Sequence, residues 1–277
     1  MKFSIFVYVF NEWYSMDIRQ LNSLFDLKSL PVSLSAACVG AMLAVADYHV
    51  GWKVVLFLLL TAVFMHMLSA LKESQAELSS AQGKNIRRGV SVLAALSAVT
   101  AIYFTYGTVF LLDSFVLMIA FWLVMNFTSN HAGSAAGSAV WRRCLRDVIL
   151  YGLVGVCGSF YLCSHTFSSW FLLLPALSVG MLCAAARLHD HIGSDSTKYV
   201  QTALVSSAWI LMILYSTLRV RDPWHFLFVL TLPAFIVYLV SIWRAETDNR
   251  NHNGIIMAVL VFAFSLLSGF GFLVFLL

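Results

Sequence analysis

LPALSVGMLCAAARLHDHIGSDSTKYVQT, the stretch Leu174–Thr202, decides the fold that the sequence predicts. A run of apolar residues ends near Arg187, a short polar loop follows, and a second apolar run begins after Lys198. The stretch Leu68–Arg88, LSALKESQAELSSAQGKNIRR, has the same plan, with acids and bases together in a loop that leaves an apolar helix. Two such loops predict one polar site at one face of a membrane.

The composition indicates a chain whose main solvent is lipid. Of its 277 residues, 61% are hydrophobic and 11% are charged, whereas about a quarter of the residues in a soluble domain are charged. A bilayer span needs about twenty mainly apolar residues, and backbone groups in lipid must pair within the segment, which favours helices. The sequence therefore predicts an all-α, polytopic membrane protein with an interfacial segment over 1–28 and one transmembrane domain over 29–277. Nine spans are predicted, at 30–48, 54–71, 89–106, 108–127, 147–163, 168–188, 199–218, 223–243 and 255–277.

The placement of lysine and arginine predicts the orientation of these spans. With the N-terminus inside and the C-terminus outside, 14 of the 17 basic residues fall on the cytoplasmic side. Only Lys53, Arg219 and Arg221 fall on the other side. Basic residues concentrate in cytoplasmic loops, so both polar loops are predicted to be cytoplasmic. The net charge of +4 is explained by this topology, and no nucleic-acid partner is expected.

The two loops carry the residue types that hold a metal ion and a phosphate. Glu73 and Glu77 are four residues apart, on one face of a helix, and two carboxylates in that arrangement suit a divalent cation such as Mg²⁺. Asp190 and Asp195 occupy the second loop. The basic residues that suit a diphosphate or an anionic headgroup are Lys72, Lys84, Arg87, Arg88, Arg187 and Lys198.

Structural interpretations of the same residues stay open. The first loop also fits a solvated helix end in contact with anionic lipid, and the second fits a capped helix end with exposed histidines. His66 is interpreted as a hydrogen-bonded contact between helices and not as a metal ligand.

Four stretches resemble the UbiA-type prenyltransferases, and within them the 1,4-dihydroxy-2-naphthoate polyprenyltransferases of menaquinone biosynthesis. They are Leu27–Val45 (LKSLPVSLSAACVGAMLAV), Leu68–Gly83, Gly158–Thr166 (GSFYLCSHT) and Leu174–Leu182 (LPALSVGML). The resemblance implies a bundle of nine transmembrane helices in the cytoplasmic membrane of a bacterium, with a central cavity open to the cytoplasm. It also implies Mg²⁺, a polyprenyl diphosphate and an aromatic quinone precursor similar to dihydroxynaphthoate.

The acidic motifs of this chain depart from the family pattern. The two aspartates of the family's first motif fall on Ser74 and Glu77, and in the second motif an asparagine falls on Asp190 and an aspartate on Ser194, unless a gap lets Asp195 serve. The resemblance therefore implies metal ligands at Glu73, Glu77, Asp190 and Asp195, and no residue is assigned as catalytic. Two functions follow as alternatives. One is a prenyltransferase with a divergent site, and the other is a non-catalytic relative that binds isoprenoid lipid or quinone, or serves as the membrane subunit of a protein partner.

Overall fold

The computed structural model describes residues 25–73, 81–104, 137–166, 170–188, 195–219, 223–244 and 250–273. Within these ranges every element of regular structure is helical, which confirms the all-α prediction for them. The predicted interfacial segment lies almost wholly outside the described residues, and the division at residue 28 stays a prediction.

The helices follow one another along the chain with short connections where these are described. They are α1 (Leu30–Asp47), α2 (Trp52–Glu73), α3 (Ala81–Phe104), α4 (Gly137–Asp147), a π-helical segment (Val148–Cys157), α5 (Gly158–Ser164), a 3₁₀ turn (Trp170–Leu172), α6 (Leu173–Leu188), α7 (Asp195–Arg219), a 3₁₀ segment (Pro223–Thr231), α8 (Leu232–Arg244) and α9 (Arg250–Leu273). The end of α4, the π segment and α5 form one uninterrupted helical stretch.

Six of these stretches are long and apolar enough to cross a bilayer, which supports a multi-pass membrane protein. They are Leu30–Asp47, Trp52–Leu71, Arg143–Ser164, Trp170–Leu188, Thr197–Leu218 and Phe226–Arg244. Shorter apolar stretches, Arg88–Thr100 and Gly254–Gly269, fall where the third and ninth spans are predicted. The predicted span 108–127 lies outside the described residues, so the count of nine and the direction in which a cavity opens stay predictions.

The outer surface of the helices is apolar and the interior contains small polar side chains. Large side chains such as Tyr103 and Val237 are exposed, whereas Ser178 and Ser268 are fully buried. The Ser178 hydroxyl donates to the Ala208 carbonyl oxygen at 2.7 Å and so joins α6 to α7. Lipid accepts the apolar outer face, and buried hydroxyls hydrogen-bond to neighbouring helices.

Glycines let the π segment pack closely against α6. A Cβ atom on Gly152 would lie 2.5 Å from the Ala176 carbonyl oxygen, and one on Gly180 would lie 2.7 Å from the Val148 carbonyl oxygen. Real Cβ contacts of this length essentially do not occur, so each position requires the hydrogen atom of glycine. This close approach brings the first turns of the π segment beside the first half of α6.

Candidate functional site

Five residues from separate elements form a hydrogen-bonded series that we call the polar chain: Arg187, Tyr151, Ser33, His66 and Asp26. Nη1 of Arg187 donates to the Tyr151 hydroxyl at 2.6 Å, and the Ser33 side chain is close enough to Tyr151 to interact with it. The Ser33 Oγ lies 2.8 Å from His66 Nδ1, and His66 Nε2 lies 3.1 Å from the Asp26 carbonyl oxygen. The polar chain thus links α6, the π segment, α1 and α2.

The two ends of the polar chain set the direction of the hydrogen bonds between them. Arginine only donates and a backbone carbonyl only accepts. His66 Nε2 must therefore carry a proton toward the Asp26 carbonyl, and in a neutral imidazole Nδ1 then accepts from the Ser33 hydroxyl. Since the Ser33 proton points to His66 Nδ1, the Ser33 oxygen can only accept from Tyr151, whose own hydroxyl oxygen accepts from Arg187. Every donor in the series points the same way, from Arg187 to Asp26.

This order predicts a single tautomer for His66. The ¹⁵N spectrum of protein labelled at histidine should show neutral His66 with its proton on Nε2. The assignment is checked by the loss of that signal in His66→Gln, which keeps a donor and an acceptor on the side chain. A neutral His66 with its proton on Nδ1 would contradict the geometry, because Nε2 would then face a carbonyl oxygen without a proton between them.

The Asp26 end of the polar chain is held by a turn before α1. Asp26 has a φ of 44°, a left-handed conformation that is uncommon for residues other than glycine. The Ser29 hydroxyl donates to the Asp26 carboxylate, and the Ser29 backbone N–H donates to the Asp26 carbonyl oxygen at 3.0 Å. Phe25 is buried against apolar residues of α2 and α3, including Leu68 and Ile86. The turn therefore presents its carbonyl oxygen to His66 from a fixed position.

An ion pair lies at the start of the π segment, one turn before Tyr151. Arg146 Nη2 lies 2.9 Å from an Asp147 carboxylate oxygen, and the two side chains are 13% and 6% exposed. The charges of Asp147 and Arg187 both act on Tyr151. Charges of both signs therefore lie near the polar chain, at the start of the π segment that contains Tyr151.

The polar chain places the ends of α2 and α6 at the same end of the bundle. It joins the last turns of α2 and α6 to the first turns of α1 and the π segment. Gln201 extends this arrangement, because its amide nitrogen donates to the Ala185 carbonyl oxygen of α6 at 2.9 Å and to the Tyr238 hydroxyl of α8 at 2.8 Å. The loops after α2 and α6, which carry the predicted acids and bases, therefore leave neighbouring helix ends.

Only some of the predicted site residues are among the residues that the structure describes. Lys72 and Glu73 end α2, Lys84 and Arg87 lie in the first two turns of α3, and Asp195 begins α7. Arg88 follows in α3 with an exposed side chain. Glu77 and Asp190 lie outside the described residues, so the full set of predicted metal ligands stays a prediction. Within the ranges that the structure describes, no three His, Cys, Asp or Glu side chains are grouped as a metal would require.

Arg187 and Lys198, which the sequence places in one loop region, lie on different helices, α6 and α7. Arg187 reaches Tyr151 on the π segment. Lys198 lies one helical turn before Thr202, whose hydroxyl accepts the indole N–H of Trp243 on α8 at 3.3 Å. Thr202 therefore joins this part of α7 to α8.

Sequence reasoning identified part of the polar chain. The prediction that His66 makes a hydrogen bond between helices is confirmed by its bond to Ser33, and Arg187 was singled out as a basic site residue. Tyr151 and Ser33 were not, because each is one polar residue in an apolar helix and its partners are distant in sequence. No local pattern marks either residue.

The chain matches no protein-family model, and no characterised protein matches it significantly.

Proposed function

We propose that this protein is an integral-membrane prenyltransferase of the UbiA type, which transfers a polyprenyl group from its diphosphate to an aromatic acceptor similar to dihydroxynaphthoate. The observation that supports this most directly is the common location of the ends of α2 and α6, which the polar chain joins. Two loops can hold one diphosphate only if they leave the same end of the bundle. The proposal includes a bacterial cytoplasmic membrane, with this end of the bundle on the cytoplasmic side.

In this proposal the polar helix ends bind the head of the substrate, and the apolar helices bind its tail. Arg187 binds the anionic head of the polyprenyl diphosphate, because a guanidinium presents several N–H donors to phosphate oxygens. Lys72, Lys84, Arg87, Arg88 and Lys198 add positive charge on the surrounding helix ends. The polyprenyl tail lies among the apolar helices, where its transfer from water is favourable.

The residue types present fit a magnesium ion. Glu73 ends α2 and Asp195 begins α7, so both belong to the end of the bundle that the polar chain occupies. Carboxylate oxygens are ligands that Mg²⁺ uses, and Glu73, Glu77, Asp190 and Asp195 would hold it. When bound, the ion would neutralise charge on the departing diphosphate.

A second proposal is a non-catalytic relative that binds an isoprenoid lipid or quinone, or forms the membrane subunit of a protein partner. The observation that favours it is that two acids near the polar chain, Asp26 and Asp147, are used in local structure. Asp26 accepts from Ser29 within a turn, and Asp147 pairs with Arg146. Both carboxylates therefore have structural partners.

An assay with matched variants separates the two proposals. Purified protein would be incubated with Mg²⁺, geranylgeranyl diphosphate and 1,4-dihydroxy-2-naphthoate, and diphosphate release and prenylated product would be measured. We expect Glu77→Gln and Asp195→Asn each to lower the rate at least about tenfold, because each removes a charged metal ligand. Asp47→Asn, at the opposite end of α1, is the control and should leave the rate unchanged.

The outcome without activity is equally informative. Absence of diphosphate release, together with an isoprenoid lipid or quinone that co-purifies, would reject the transferase and support the binding protein. Absence of release, of any such lipid and of a co-purifying protein partner would reject both proposals.

A further inference from the structure

We infer that Tyr151, Ser33 and His66 are positioning residues that fix the guanidinium of Arg187 for an anionic diphosphate head. The inference rests on the proposed function for the identity of the anion. It goes further because it assigns a role to three uncharged side chains that no sequence motif marks.

The first argument is the geometry at Arg187. Its side chain is half-buried in the last turn of α6, and one Nη1 is held by the Tyr151 hydroxyl at 2.6 Å. The guanidinium is planar and rigid, so fixing one nitrogen fixes the directions of the other N–H groups. A long side chain that is already ordered loses less conformational entropy when it binds an anion.

The second argument is the order of the protons. Arginine cannot accept a hydrogen bond, so Tyr151 presents a lone pair to Arg187 when its own proton points toward another acceptor. The Ser33 proton points to His66 Nδ1 at 2.8 Å, so the oxygen of the nearby Ser33 is free to accept the Tyr151 proton. His66 is oriented in turn by the Asp26 carbonyl oxygen at 3.1 Å. Each member therefore holds the next in the orientation that Arg187 requires.

The third argument is the support that the backbone gives to both ends of the series. Tyr151 is next to Gly152, whose missing side chain lets the π segment approach Ala176 of α6. Asp26 sits in a left-handed turn, anchored by the neighbouring buried Phe25. Residues held in such conformations persist where the surrounding structure supports them, and they are frequent at functional sites. The π-helical form of the stretch that carries Tyr151 is also frequent at such sites.

The test measures binding of two named probes, inorganic diphosphate and geranylgeranyl diphosphate, to the full chain in detergent by calorimetry. Arg187→Ala should weaken the binding of both by about tenfold or more, since a charge-assisted hydrogen bond to phosphate is lost. Tyr151→Phe, Ser33→Ala and His66→Ala should each weaken it about threefold to tenfold, although none removes a charge. His66→Gln and Ser33→Thr keep a donor and an acceptor and should restore most of the affinity.

The pattern of rescue distinguishes positioning from a general effect on folding, and thermal unfolding of every variant is measured beside it. Wild-type affinity in Tyr151→Phe, Ser33→Ala and His66→Ala, with loss in Arg187→Ala, would overturn the positioning role and leave the proposed function standing. Equal affinity in Arg187→Ala and the wild type would overturn the inference. The rates of the Glu77 and Asp195 variants would still test the proposed function separately. If Tyr151→Phe does not fold, the comparison of His66→Gln with His66→Ala decides.

Discussion

Gly40→Ala should lower the stability of this protein more than any other single addition of a methyl group discussed here. A Cβ atom on Gly40 would lie 2.3 Å from the Val156 carbonyl oxygen, 2.8 Å from the Ser159 Cβ and 3.1 Å from the Phe160 backbone nitrogen. Two of these three are backbone atoms, which cannot rotate away, so α1 would have to move off the π segment and α5. We expect a loss larger than the ~1–3 kcal/mol typical of overpacking a core.

The measurement is thermal unfolding of the purified protein in detergent, with Gly158→Ala as the matched control. Among the residues that the structure describes, and apart from its own helix backbone, no atom lies within 4 Å of a Cβ atom on Gly158, which begins α5 in the same helical stretch. Alanine is favoured over glycine inside a helix by roughly 0.5–1 kcal/mol, so this variant should unfold at the same temperature as the wild type or above it. Equal midpoints for the two variants would contradict the close packing of α1 on the π segment.

Trp209→Ala should produce the second large loss of stability. Trp209 is 6% exposed, and its ring centroid lies 5.4 Å from that of Phe228, 5.7 Å from that of Phe235 and 5.3 Å from that of Phe264. These rings join α7 to the 3₁₀ segment, α8 and α9. Removing the indole leaves a cavity at this junction, and such truncations cost about 3–5 kcal/mol.

Trp209→Phe is the informative partner of that variant. The indole N–H of Trp209 is buried with no hydrogen-bond partner among the described residues. Replacing an unsatisfied buried donor by an apolar ring removes the cost of that group, so we expect Trp209→Phe to lose less than about 1.5 kcal/mol. Thermal unfolding of the two variants side by side measures the difference. If Trp209→Phe is as unstable as Trp209→Ala, the indole N–H makes a stabilising hydrogen bond in the folded protein.

The sequence was sufficient to predict where most membrane helices lie. The predicted spans 30–48, 168–188 and 223–243 correspond to Leu30–Asp47, Trp170–Leu188 and Phe226–Arg244 in the structure. These predictions succeed because lipid imposes a requirement on each segment separately: about twenty apolar residues, with the backbone paired inside the segment. The polar character of the helix ends follows from the same requirement, so the region of Arg187 and Lys198 could be selected as a candidate site.

Local structure inside those helices was less predictable. The sequence predicts a helix over 147–163, and the structure has a π-helical segment at Val148–Cys157. An apolar stretch shows no periodicity that separates one helix type from another, since almost every position is hydrophobic. The close approach of Gly152 and Gly180 depends on which helices are neighbours, and composition alone does not specify this.

The sequence by itself determined a lipid-embedded helical chain, its apolar spans and the polar character of the ends from which two charged loops leave. Only the tertiary structure decided that Arg187 donates to Tyr151 and that Ser33 hydrogen-bonds to His66. The physical reason is the range of the two kinds of interaction. Transfer into lipid acts on each segment through its own composition, whereas a hydrogen bond exists only where packing brings two particular atoms within about 3 Å.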